Sequence, residues 1–179
     1  MKRLLPLFLA VFDRLVAEDK DLVGVIPAAT GDLYELIQSM VGLRPMRVVH
    51  GKSQAVIAAS KAVLVASGTA ALESVLTGRP TVAAYKMNPW TYRLVKSKVK
   101  TEFVTLPNFL ANQGLIPELI QEKASVKSIV DAILPMLKES PANQFLTEAQ
   151  KIYDSLAGDV SGRAAEAILE QLSLSLIHI

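Results

Sequence analysis

Five short apolar runs, each followed by a turn, constrain this chain more than any other feature. They are residues 21–28 (DLVGVIPA), 46–51 (MRVVHG), 62–67 (AVLVAS), 80–85 (PTVAAY) and 102–107 (EFVTLP). Helical patterns lie between them. One covers 30–42, with Thr30 as its cap and Gly42 as its stop. Others cover 53–60, 69–78, ended by Gly78, and 89–99, with Pro89 at the first position. A helix over 4–18 precedes the first run and carries Leu5, Phe8, Phe12, Leu15 and Val16 near one face. After residue 107 the strands stop, and helices are expected over 117–121, 126–138, 142–156 and 160–173. Strict strand–helix alternation predicts an α/β fold: a doubly wound parallel sheet with helices on both faces. The strands are continuous apolar runs, as burial on both faces requires.

Composition narrows the functional classes. The chain has 179 residues, enough for one domain with a real core. Hydrophobic residues make up 51% and charged residues 20%, which reads as globular. The formal net charge of +2 argues against a nucleic-acid partner, whose binders concentrate far more basic charge. Cysteine is absent, so there is no disulfide framework or thiolate zinc site, which fits a reducing compartment. His50 and His178 leave little material for a metal centre, and none is expected. The opening MKRLLPLFLAVF has the look of a signal peptide. Its pattern runs on with helical periodicity into DRLVAED and no small-residue cleavage site follows, so a buried helix is the better reading. The run is also too short to cross a bilayer.

In a doubly wound sheet, ligands bind beyond the carboxyl ends of the strands. Those ends carry Gly51, then Ser67, Gly68 and Thr69, then Tyr85 and Lys86, then Pro107 and Asn108. Gly68 permits a close backbone approach and a positive φ. A helix beginning near Thr69 offers free N–H groups to an anion such as a pyrophosphate. Glu73 follows one helical turn later, where a carboxylate can accept both hydroxyls of a ribose. A capping box is the competing explanation, but Glu73 stands one residue late for Thr69 as the cap. In GRP, residues 78–80, Gly78 ends a helix, Arg79 is expected to be a solvated turn residue, and Pro80 starts a strand.

The segment after the fourth strand is basic. Lys86 can reach a phosphate, and Arg93, Lys96, Lys98 and Lys100 follow with no acid among them. Trp90 stands near the start of this segment. Such a segment can lie on an anionic membrane surface, although an ordinary solvated helix has the same composition. Asn108, at a strand end, can hydrogen-bond a base or ribose. Glu118 and Gln121 are expected on one helical face.

Two stretches resemble one family closely. LVASGTAALESVLTGRPTVAAYKMNP and LVKSKVKTEFVTLPNFLANQGLIPELIQE are similar to lipid-A-disaccharide synthase, a glycosyltransferase of bacterial lipid A assembly. The resemblance covers about residues 5–172 and is strongest over 58–122. It implies a GT-B fold, two Rossmann-like domains facing across a cleft, with this chain as the C-terminal, donor-binding half. It also implies transfer of diacylglucosamine from its UDP-activated form to diacylglucosamine 1-phosphate (lipid X), with release of UDP and no cofactor. The enzyme would be cytoplasmic and peripheral on the inner membrane of a Gram-negative bacterium, and a homo-oligomer is compatible with this. Ser67, Gly68 and Thr69 would lie near the diphosphate, Glu73 at the ribose, and Gly51 under the uracil. Asn108 would lie at the nucleotide, with Lys86, Glu118 and Gln121 near it. Trp90, Arg93, Lys96, Lys98 and Lys100 would face the membrane or the acceptor.

On this resemblance, residues 1–124 form the donor-binding domain, 125–173 are helices packing on it, and 174–179 are a tail with no expected role. The family carries an Asp where this chain has Lys61, a position expected at the surface. Its Gly-Ser-Arg loop and its N-terminal acceptor domain, with the catalytic base, should lie upstream of Met1, which then reads as an internal methionine. A UDP-N-acetylglucosamine 2-epimerase or a peptidoglycan glycosyltransferase shares the Ser67–Glu73 region. Leu106–Pro107–Asn108 and Pro117–Glu118–Leu119 argue against both. A non-catalytic nucleotide-binding module is the remaining alternative.

Overall fold

A computed structural model describes residues 4–66, 68–88, 90, 102–158, 162 and 165–170. The elements run α1 (Leu5–Glu18), β1 (Gly24–Ala28), α2 (Gly31–Val41), β2 (Met46–His50), α3 (Ser53–Ala59), β3 (Val63–Val65), α4 (Thr69–Leu76) and β4 (Thr81–Tyr85). Then follow α5 (Leu106–Ala111), β5 (Glu118–Ile120), a 3-10 turn (Gln121–Lys123), α6 (Val126–Lys138) and α7 (Asn143–Leu156). The helix expected over 89–99 lies outside the described residues, apart from Trp90. Of the segment expected as a helix over 160–173, residues 162 and 165–170 are described and are helical, and the rest lies outside the described residues, as does the tail.

All strand pairings are parallel. β1 pairs with β2, and β3–β4–β5 form a second ladder with β4 in the middle. The central strand shows why the sheet has two covered faces. Thr81, Val82, Ala83 and Ala84 are all buried. Side chains alternate across a strand. Val82 and Ala84 therefore share a cluster with Val11 and Leu15 of α1 and Ile129, Val130 and Ile133 of α6. Ala83 joins the opposite cluster, with Val65 and with Ala71 and Val75 of α4 and Ala149 and Ile152 of α7. Helices cover both faces, as a doubly wound α/β fold demands.

α1 carries more than the single apolar face expected of it. Leu5 and Leu9 pack into a third cluster with Ala28, Ile37 and Val41, while Val11 and Leu15 face β4 and α6. One helix thus contributes to the cores beside both ladders. The apolar character of residues 4–15 matches the burial of Leu4, Leu5, Leu9, Val11, Phe12 and Leu15.

Local signals close several elements as read. The Thr30 hydroxyl oxygen accepts from the Leu33 N–H at 3.3 Å and caps α2, and Gly42 follows in a positive-φ conformation. α4 ends in a Schellman motif: Gly78 N–H donates to the Val75 carbonyl at 2.8 Å and Arg79 N–H to the Ser74 carbonyl at 3.0 Å. Arg79 departs from expectation. Its Nε is buried and has no hydrogen-bond partner, so this is not a freely solvated turn residue. Lys61 is exposed, as expected.

Two expectations fail after residue 101. No strand forms over 102–107. Thr105 instead takes the N-cap position of α5, with Pro107 in its first turn. Pro is pre-organised for a helix start and cannot donate to a strand ladder. The helix expected over 117–121 is β5 followed by the 3-10 turn, because the edge of β4 is open to pair with Glu118–Ile120.

An ion pair ties α1 to the end of α2. Arg44 Nε meets Asp13 Oδ1 at 2.6 Å and Nη2 meets Oδ2 at 2.9 Å. Arg44 Nη1 also donates to the Met40 and Val41 carbonyls at 3.2 and 3.0 Å, completing the α2 terminus. The Arg44 hydrogen bonds hold the Asp13 carboxyl below its ordinary value of 3.8, with burial opposing and Coulomb attraction assisting. Because the folded carboxyl titrates lower than the unfolded one, the pair stabilises the fold above that ordinary value and the contribution is lost as pH falls through the folded pKa. Both partners are partly exposed, so Asp13→Asn is expected to cost at most about 1 kcal/mol at pH 7. In urea unfolding the gap between wild type and variant should close as pH falls below the carboxylate range. A gap independent of pH would contradict this account.

Candidate functional site at the carboxyl ends of the strands

The register of the second ladder decides which loops meet. Val65 pairs with Ala83, and Tyr85 pairs with Ile120. The parallel strands end on one edge, so Gly68 and Thr69 follow β3 there, Lys86 follows β4, and Gln121 follows β5. Gly51 is not part of this group. It follows β2 in the other ladder, where its N–H donates to the Ala28 carbonyl at 2.7 Å. Gly51 and Lys52 both take positive φ and turn the chain into α3.

Gly68 is the N-cap of α4, at φ 79° and ψ −150°. That region is essentially closed to residues with a Cβ. The turn therefore needs glycine for its backbone, although the space where a Cβ would stand is open. Glycine also brings no side chain to cap the first turn of α4, where the Ala71 N–H donates to the Gly68 carbonyl at 3.2 Å. Ser67 lies outside the described residues. One turn into α4, Glu73 is half-buried, and no hydrogen bond or ion pair holds its carboxylate among the described residues. Lys86 is exposed. Trp90 is 79% exposed, and its N–H donates to Asn88 Oδ1 at 2.9 Å. Arg93, Lys96, Lys98 and Lys100 lie outside the described residues.

Asn108, Glu118 and Gln121 are placed differently from what was expected. Asn108 sits within α5, not at a strand end, and only 2% of its surface is exposed. Its Oδ1 accepts from the Ile116 N–H at 2.8 Å, and its Nδ2 donates to the Ile116 carbonyl at 2.9 Å and to Glu118 Oε1 at 2.9 Å. Glu118 lies in β5 instead of on a helix with Gln121. Its carboxylate accepts from the Val104 and Thr105 N–H groups at 3.0 and 2.8 Å and from the Thr105 hydroxyl at 2.7 Å. These groups form a polar hub, with Thr105 and Asn108 buried and Glu118 partly exposed, that fixes the start of α5 against β5. Gln121 is buried at the end of β5, where its side-chain amide engages the backbone of Met87.

Thr105 is the hub residue that sequence reasoning missed. A Thr one position before Leu-Pro is a helix-start signal that could have found it. Among the described residues, no group of three or more His, Asp or Glu side chains comes together as a metal site. A depression of about 430 Å³ lies elsewhere, lined by Arg14, Val126, Lys127, Val130 and Asp131. It has no connection with the strand ends.

A family model for lipid-A-disaccharide synthetase matches residues 1–171. The chain belongs to the lipid-A-disaccharide synthetase family. It is 38% identical over 175 residues to the lipid-A-disaccharide synthase of Azotobacter vinelandii, covering 95% of this chain. Over 175 residues it is 35% identical to lipid-A-disaccharide synthase 2 of Legionella pneumophila, covering 96%. With the enzyme of Pseudomonas syringae pv. tomato it shares 38% identity over 176 residues, covering 97%. This chain spans 46% of the length of each of these relatives. The synthetase family match and the observed parallel α/β architecture agree with one Rossmann-like half of a GT-B fold.

Replacing Asn108 by Ala would strip the buried Ile116 N–H and carbonyl of their partners and Glu118 of one donor. Unsatisfied buried groups of this kind cost roughly 1–3 kcal/mol. Asn108→Ala is therefore expected to lower the free energy of unfolding by roughly 1–3 kcal/mol, read as a lower urea midpoint with unchanged slope. An unperturbed midpoint would show that the hub does not hold the segment.

Proposed function

We propose that this chain is the donor-binding half of a lipid-A-disaccharide synthase. In this reading the whole enzyme is a glycosyltransferase. It moves diacylglucosamine from its UDP-activated form to diacylglucosamine 1-phosphate and releases UDP. The family match over residues 1–171 carries the proposal. It is supported by a glycine-opened helix at the strand ends and by a Glu73 carboxylate with no partner among the described residues.

The chemistry assigned to each group is simple. The first-turn N–H groups of α4, with Ser67 and Thr69 beside them, receive the diphosphate. The Lys86 ammonium adds positive charge. Together they stabilise the charge that develops on UDP as it departs. Glu73 accepts the ribose hydroxyls. Asn108 and Glu118 act at the nucleotide through the backbone they hold, and Gly51 lies under the uracil. The displacement is a single, inverting step and calls for no metal. The base that activates the acceptor hydroxyl belongs to the other half of the enzyme. Holding donor and acceptor together supplies much of the rate, so this chain alone binds UDP weakly and transfers nothing.

Membrane association belongs to the same proposal. Exposed Trp90, followed by Arg93, Lys96, Lys98 and Lys100, suits the anionic surface of the inner membrane on its cytoplasmic side. No helix among the described residues is long and apolar enough to cross a membrane.

Calorimetric titration with UDP tests the reading. The chain should bind UDP, and Glu73→Ala should weaken binding by about 1–3 kcal/mol through lost ribose hydrogen bonds. Equal affinity for wild type and variant would remove Glu73 from the site. Sugar transfer by this polypeptide alone would overturn its assignment as a half-site.

A further inference from the structure

We propose that Gln121 is a positioning residue whose side-chain amide extends the β4–β5 ladder by one step and sets where Lys86 stands. The inference rests on the donor-site reading above for the identity of the ligand. It goes beyond that reading by giving Gln121 a different task from ligand contact.

The last main-chain register pair between β4 and β5 is Tyr85 with Ile120. Beyond it the backbones part, because Gln121 takes φ 54° and the chain turns into the 3-10 segment. A non-glycine residue in this left-handed region is strained, and such strain persists only where the surroundings over-determine it. Here the side chain supplies the determination. Gln121 Oε1 accepts from the Met87 N–H at 2.7 Å, and Nε2 donates to the Met87 carbonyl at 3.3 Å. One primary amide thus satisfies both main-chain groups of one residue, as a facing peptide unit would. Asn108 does the same for Ile116. The residue held by the Gln121 latch, Met87, directly follows the exposed cation Lys86 in sequence.

The latch pins Met87, one residue after Lys86 and two after the ladder ends. Lys86 therefore projects from a backbone held on both sides, by Tyr85 in the ladder and by Met87 in the latch. Without the latch, ordering residues 86–88 would be charged against binding of an anion. Gln121 is itself only 7% exposed, and both ends of its amide are engaged. It has little capacity left to bind a ligand directly.

The test uses the full chain, with UDP as ligand and hydrogen exchange at the Met87 amide as a second readout. Gln121→Ala should speed Met87 exchange and weaken UDP binding about fivefold, the worth of a hydrogen bond or so. Gln121→Glu keeps the acceptor for the Met87 N–H and loses the donor, so it should fall between wild type and Ala in both readouts. In a Lys86→Ala background, Gln121→Ala should cause no further loss of affinity, because it acts through Lys86. Additive losses would overturn the proposal, since they mean that Gln121 meets the nucleotide itself. Unchanged affinity with faster exchange would also overturn it. A wild-type chain that binds no UDP would sink the donor-site reading instead. The latch would then be judged on exchange alone: Met87 protection that survives Gln121→Ala overturns it, and lost protection upholds it.

Discussion

The Glu118 carboxylate is the contact that ties the second ladder to the segment leading into α5. It stands in the shortest kind of strand, three residues long, at the border of the second ladder. A carboxylate there would cost free energy if left without partners. It is satisfied by the backbone of Val104 and Thr105, the Thr105 hydroxyl and the Asn108 amide. One charged group therefore joins β5 to the beginning of α5, across a gap of 10 to 14 residues in sequence. Charge-assisted hydrogen bonds of this kind are among the stronger polar contacts available to a fold.

The polar side chains of this region divide the work. Asn108, Glu118, Thr105 and Gln121 spend their hydrogen-bonding capacity on the protein. Among the described residues Glu73 and Lys86 have no such engagement, and Gly68 brings no side chain to cap the first turn of α4. The first group holds the frame rigid. The second offers carboxylate, ammonium and N–H groups to a ligand with both phosphate and hydroxyl chemistry. Such a division is sensible for a binding edge: ligand groups gain from being fixed before the ligand arrives, and buried amides that mimic peptide units fix them without adding charge.

The reading by residue type alone failed at an instructive place. EFVTLP, residues 102–107, reads as a short apolar strand by residue type, yet Leu106 and Pro107 open α5. Thr105 at the N-cap position and Pro107 in the first turn are the stronger signals, although the Thr105 hydroxyl donates to Glu118 and does not cap the helix itself. PELIQ, residues 117–121, is expected as a helix and instead forms β5 and the start of the 3-10 turn. A strand of three residues has no periodicity to detect, and what selects it is the free edge of β4.

The sequence by itself determined the α/β class, the parallel order of alternating elements, the first four strands, the helices at 126–138 and 142–156, and the glycine-opened turn with Glu73 behind it. Those features rest on local physics: apolar runs, caps, and the freedom of glycine at φ 79°. It also carried enough of the family's motifs to be recognised. Only the tertiary structure decided that α1 serves two cores, that β4 is the central strand, and that Asn108, Glu118 and Gln121 bind protein groups. Their partners are 8 to 34 residues away in sequence. A side-chain amide or carboxylate reads the same whether it faces a ligand or a backbone, and packing alone decides which of them it meets.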